Sequence, residues 1–157
     1  MSLGIALDTS QSMSGEKMRE VRSAIDGLLA ALAEPQDEFF LYRFSNRPVL
    51  IHEWTRDRSA ISRALSGVVP AGQTALYDAI ADAIPLTQQG RNQKKALVVI
   101  SDGNDTLSLR RADEVRQRIR ESETLVYAIG VDCDLPPFGR SPLQQRRGGG
   151  RARRRAW

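Results

Sequence analysis

Hydrophobic positions along the chain switch repeatedly between two periods. Leu3-Gly4-Ile5-Ala6-Leu7 is apolar throughout and ends at Asp8, as a buried strand would. From Glu16 to Ala33, Met18, Val21, Ile25, Leu28 and Leu32 recur at steps of three and four, one face of a helix. Ser12 or Ser14 is expected to cap that helix, and Pro35 to end it. Asp37 to Ser45 holds the β-prone run Phe39-Phe40-Leu41-Tyr42-Arg43-Phe44. A turn, Ser45-Asn46-Arg47-Pro48, leads into a second strand, Val49 to Trp54. So close a pair predicts an antiparallel hairpin.

Asp57 to Val68 predicts a short helix with Ile61 and Leu65 inward, and Val69 to Gln73 a loop. Thr74 to Thr87 reads as a helix with Leu76, Ile80 and Ile84 on one side, bent or ended by Pro85. Lys95 to Ser101 reads as a central parallel strand by its unbroken apolar content. An amphipathic helix from Leu109 to Glu121, through Ala112, Val115 and Ile119, precedes a last strand from Thr124 to Val131. The order β-α-β-β-α-α-β-α-β predicts a three-layer α/β/α sandwich, its sheet mostly parallel with one antiparallel edge strand. After Val131 the periodicity stops. Residues 1–134 are expected to form one domain, and residues 135–157 a disordered Arg/Gly/Pro-rich tail.

At 157 residues the chain has room for one real core, and 41% hydrophobic with 27% charged residues fits an ordinary globule. No apolar run is long enough to span a membrane, and the chain as written carries no export signal. The compartment stays open: cytoplasmic by default, or a fragment of an exported or envelope protein. Cys133 is the sole cysteine, which excludes an internal disulfide and a cysteine-based zinc cluster. The net charge of +4 misleads. Removing the seven arginines from Arg140 onward leaves 16 basic against 19 acidic residues, a net −3. The tail alone makes the protein basic.

Asp8-Thr9-Ser10-Gln11-Ser12 leaves the end of the first strand and enters a helix start. It offers one carboxylate and two hydroxyls, hard oxygen donors of the kind Mg²⁺ takes. Asp102 leaves the end of the fourth strand, and Thr74 opens a helix after the loop containing Gly72. In an open parallel sheet, ligands bind outside the carboxyl ends of the strands at the switch point. Taken singly, Asp8, Ser10, Ser12 and Thr74 also fit helix N-caps, and Asp102-Gly103 fits a plain turn. A serine hydrolase would need Gly-x-Ser-x-Gly and a late histidine, and a phosphate-transfer fold a Walker loop; the chain has none of these, and its one histidine, His52, lies in the hairpin. No enzyme is expected.

The set Asp-x-Ser-x-Ser, Gly72-Gln73-Thr74 and Ser101-Asp102-Gly103 resembles the von Willebrand factor A domain family with its metal-ion-dependent adhesion site, over residues 2–131. Gly15 after the first loop and the helix opening Thr74-Ala75-Leu76-Tyr77-Asp78-Ala79 agree with it. The resemblance implies that Ser10, Ser12 and Thr74 bind Mg²⁺ or Mn²⁺ through hydroxyls, and Asp8 and Asp102 directly or through water. It implies a protein partner whose Asp or Glu completes the coordination shell, and hence a divalent-cation-dependent adhesion or assembly module. It implies the strand order 3-2-1-4-5. It also implies a further helix and a sixth strand, in whose place the tail stands. The end is therefore read as truncated or frame-shifted, with the last strand an exposed apolar edge.

The competing reading is a basic-tail protein that binds nucleic acid or acidic surfaces on an α/β scaffold. From Arg140 onward the tail lacks interleaved aromatics apart from Trp157, so no specific nucleic acid is expected. Asp105 is expected near the metal or on the surface, Asp132 and Asp134 in a solvated loop, and Trp54 packed at a hairpin end. His52 is expected at or near the surface, and Cys133 unreactive.

Overall fold

The computed structural model describes residues 1–32, 34–103 and 105–131. The 134/135 boundary, the tail, Asp132, Cys133 and Asp134 lie outside the described residues. In chain order the elements are β1 (Ser2–Asp8), α1 (Glu16–Ala31), β2 (Glu38–Phe44), β3 (Pro48–Thr55), α2 (Arg58–Ser66), α3 (Leu76–Gln88), β4 (Lys95–Ser101), α4 (Ala112–Glu121) and β5 (Leu125–Gly130).

The sheet runs β3-β2-β1-β4-β5. β1 pairs in parallel with β2 on one side and β4 on the other, β5 extends β4 in parallel, and β3 pairs antiparallel with β2. The expected order and the single antiparallel edge are both present. β1 is the middle strand and is buried at every position, which is why its sequence shows no polar alternation.

Side-chain alternation splits the core in two. Leu3, Ile5 and Leu7 of β1 face Met18, Val21, Ile25 and Leu29 of α1 and Ile61 and Leu65 of α2. On the opposite face, Ala6 joins Phe40, Phe44, Leu97 and Val99 beneath α3, with Val115 of α4. Gly4 lies in register with Phe40 and Leu97, and a Cβ there would run into the Phe40 ring. The missing side chain leaves room for that ring, which meets Trp54 edge-on with centroids 4.8 Å apart. Trp54 therefore packs at the hairpin as expected, its Nε1 donating to the Leu86 carbonyl at 3.3 Å.

Three expectations need correction, and one alternative is excluded. The deep residue of the last α1 turn is Leu29, while Leu28 and Leu32 are only partly buried. The 3.6-residue period carries the stripe from Ile25 to Leu29. Neither Ser12 nor Ser14 caps α1: a 3₁₀ turn, Gln11–Met13, intervenes, and the N-cap is Gly15 at φ 75°. α1 ends at Ala31, ahead of Pro35. Pro85 does not end α3, which runs on to Gln88. A proline inside a helix costs about 3 kcal/mol. Leu76, Ile80 and Ile84 of the same helix are buried, at about 1.5–3 kcal/mol each, so packing outweighs the proline.

Candidate metal centre

β1 and β4 lie side by side, and their carboxyl ends carry Asp8 and the Ser101-Asp102 pair. This is the sheet's switch point: connections leave β1 toward β2 on one side, and β4 stands on the other. Asp8 is fully buried. Its Oδ1 accepts from the Ser10 backbone N–H at 2.8 Å, and its Oδ2 from the Ser101 hydroxyl at 2.6 Å. Burial pushes the Asp8 carboxyl up most strongly, the bonds from Ser101 and Ser10 pull it back, and repulsion from Asp102 adds to the rise. The net result lies above the ordinary value of 3.8.

The hydroxyls sit on the same loop. Ser10 Oγ and Ser12 Oγ are 3.0 Å apart, Ser10 buried and Ser12 exposed. Thr74, also buried, does not open a helix as expected. It lies two residues before α3, whose N-cap is Ala75.

Backbone bonds stitch the three loops together. Gln11 N–H donates to the Gly72 carbonyl at 2.9 Å, and Ala71 N–H to the Thr9 carbonyl at 2.7 Å. Gly72 takes φ 86°, and a Cβ there would stand 2.6 Å from Asn46 Oδ1, so no other residue fits this turn without strain. Thr74 is gripped from both sides. The Ser45-Asn46 turn accepts from Ala75 N–H at 2.9 Å and from Gln73 N–H at 2.6 Å. Thr106 Oγ1 accepts from Thr74 N–H at 3.1 Å, while the Thr74 carbonyl accepts from Thr106 and Leu107.

The loop after β4 adds residues that the sequence reading assigned no definite role. Asp105 Oδ1 accepts from Leu76 N–H at 2.8 Å and from Ser108 Oγ at 2.6 Å. Ser108 Oγ in turn accepts from Tyr77 and Asp78 N–H at 3.0 and 3.1 Å. The open N–H groups of α3 are thus capped by a segment about thirty residues away, because Ala75 has no capping side chain. Asp105, expected near the metal or on the surface, is half-buried and holds the helix that follows Thr74. Ser101, left without a role in the sequence reading, anchors Asp8. The one available signal was Asp105-x-x-Ser108, a pair of cap-forming residues with no helix directly behind them.

The donor set suits a hard divalent ion. It is all oxygen, two carboxylates and three hydroxyls, with no nitrogen or sulfur that would favour zinc or copper. Among the described residues no group of three or more His, Cys, Asp or Glu could hold an ion, so the hydroxyls are essential to the set. The Ser10–Ser12 separation of 3.0 Å also equals the edge of an octahedron with bonds of about 2.1 Å, the Mg²⁺ value. His52, on β3, hydrogen-bonds the Glu53 carbonyl at 2.8 Å and takes no part.

An open, mostly parallel sheet with one antiparallel edge strand, flanked by helices and carrying Asp8 and Asp102 at its β1/β4 switch point, defines a Rossmann-like α/β domain. Residues 3–104 match the von Willebrand factor type A domain, and the chain belongs to that family, whose domains generally mediate protein–protein interactions. Human inter-alpha-trypsin inhibitor heavy chain H4 is 24% identical over 135 residues, 78% of this chain. The chain spans only 14% of that relative's length. Among solved structures, the conserved hypothetical protein BatB from Bacteroides thetaiotaomicron superposes with a TM-score of 0.72 at 22% identity, over 83% of this chain and 66% of its own. A von Willebrand factor type A protein from Catenulispora acidiphila gives 0.70 at 18% identity, over 82% and 32%.

Proposed function

We propose that the domain is a divalent-cation-dependent protein-binding module. Ser10, Ser12 and Thr74 would hold Mg²⁺ or Mn²⁺ through hydroxyls, and Asp8 and Asp102 directly or through water. The observation that carries this reading is the convergence of two buried carboxylates and a hydroxyl pair at one switch point, on loops stitched to one another. When bound, the ion supplies a hard Lewis acid with sites open to a further oxygen ligand. Neutral hydroxyls leave much of its charge uncompensated, so a partner's Asp or Glu carboxylate gains more than it would on an all-carboxylate site. The chain's own part is to hold these oxygens rigid: Ser101 and Ser10 N–H fix the Asp8 carboxylate, and the Ser45-Asn46 turn and Thr106 fix the backbone at Thr74. We read the site as binding rather than catalytic, since no imidazole stands near it to move a proton.

Calorimetric titration with MgCl₂ tests the reading on the wild type, Ser12→Ala and Asp8→Ala. Ser12 is exposed, so its removal spares the core. Saturable binding that weakens in Ser12→Ala and disappears in Asp8→Ala is expected. A folded wild type that takes up no Mg²⁺ would reduce these residues to caps and turns.

A further inference from the structure

We infer that Lys17 competes with the divalent ion for the Asp102 carboxylate, and so sets the affinity of the site. The inference rests on reading these residues as a metal centre. Lys17 is the second residue of α1, and its Nζ stands 3.5 Å from Asp102 Oδ2. Its side chain is 27% exposed against 6% for Asp102, so the pair is partly sheltered from solvent and salt.

The position is a poor one for a cation. Helix dipoles favour acids in the first turn and repel lysine there, and the site is reached only because the 3₁₀ turn and Gly15 bring the start of α1 beside the metal loop. What offsets that repulsion is Asp102. An ammonium is a compact charge on a flexible stem, with no fixed geometry to satisfy. It pairs with a carboxylate that would also serve the divalent ion. Two cations on one carboxylate repel, so ion binding requires Lys17 to swing outward, which its exposure permits. The lost ion pair is then subtracted from the metal's binding free energy. By this reading Lys17 is a determinant of metal affinity and not a ligand.

Titration with Mg²⁺ alone, on the full chain, tests this. Lys17→Met keeps the stem and removes the charge; Lys17→Gln replaces it if Met impairs folding; Lys17→Arg keeps the charge. Lys17→Met is expected to bind Mg²⁺ about fivefold more tightly, the scale of a partly exposed ion pair, and Lys17→Arg to stay near the wild type. In an Asp102→Asn background the Lys17→Met gain should vanish. Melting in EDTA should be lower for Lys17→Met than for the wild type, and the gap should close or reverse in saturating Mg²⁺. Equal or weaker Mg²⁺ binding by Lys17→Met would overturn the competition while leaving the metal centre standing. Absence of Mg²⁺ binding in the wild type and every variant would overturn both.

Discussion

Ser101 Oγ donates to Asp8 Oδ2 at 2.6 Å, joining the last residue of β4 to the last residue of β1 across 93 positions of sequence. The same hydroxyl accepts from Gly103 N–H at 3.0 Å, so it orients both the Asp8 carboxylate and the loop carrying Asp102. Ser101→Ala takes a donor from a fully buried carboxylate. The expected loss is about 1–3 kcal/mol, read as a lower urea midpoint, together with weaker Mg²⁺ binding. An unchanged midpoint would show that the bond adds nothing net to stability.

Asp105→Ala removes the acceptor that holds Leu76 N–H and Ser108 Oγ. A lost cap costs about 0.5–2 kcal/mol, and Thr74 should lose some of its alignment with it. Asp105→Asn retains the accepting oxygen and is expected to recover most of both effects. Denaturation curves and Mg²⁺ titration of the two variants check this; equal damage in Asp105→Asn would point to the charge instead.

Asp78 ties α3 to the segment before α4. It accepts from Leu109 and Arg110 N–H at 2.9 and 3.0 Å and pairs with the Arg110 guanidinium at 3.3 Å. Burial pushes its carboxyl up, but these donors together outweigh burial and hold it below the ordinary 3.8. A carboxyl depressed in the folded state stabilises fully above its unfolded value and loses that contribution as pH falls through its folded value. Wild type should therefore exceed Asp78→Asn in stability at pH 7 and at pH 5, with the gap shrinking below about pH 4. Urea midpoints across that range would contradict this if the gap stayed constant down to pH 2.

Leu125, Tyr127 and Ile129 of β5 are 60%, 54% and 48% exposed, on a strand that β4 borders on one side. Among the described residues β5 is the outermost strand on that side of the sheet, as expected. Such an edge favours association. Tyr127→Lys should lower the mass seen by light scattering at high protein concentration. No difference from wild type would show that the edge is protected in solution.

Most of the fold was legible because burial differs sharply between elements. β1 and β4 are covered on both faces, so their sequences are apolar without interruption. The candidate site loop stood out for a different reason: Asp8, Ser10 and Ser12 are alternate residues on one short turn. What escaped notice depends on neighbours distant in sequence. Pro85 is tolerated because α3 packs on the sheet, and that packing is not written beside Pro85. Asp105 looks like the cap of a following helix but serves an earlier one. Lys17 looks like a solvated first-turn residue until the folding of the loop brings Asp102 alongside. Leu28 and Leu29 differ by one position on a helix, a distinction set by where the sheet lies.

The placement of β1 between β2 and β4 carries a consequence for synthesis on the ribosome. Its partner in β2 lies 36 residues away and its partner in β4 about 93. At about 5–20 residues per second, the second partner emerges roughly 5–19 s after β1. Through that interval one full side of the strand that ends up buried at every position has nothing to pair with. The nascent chain is then at its most vulnerable to chaperone capture or misassembly, and the candidate site loop, whose Asp8 waits for Ser101, is among the last parts to take shape.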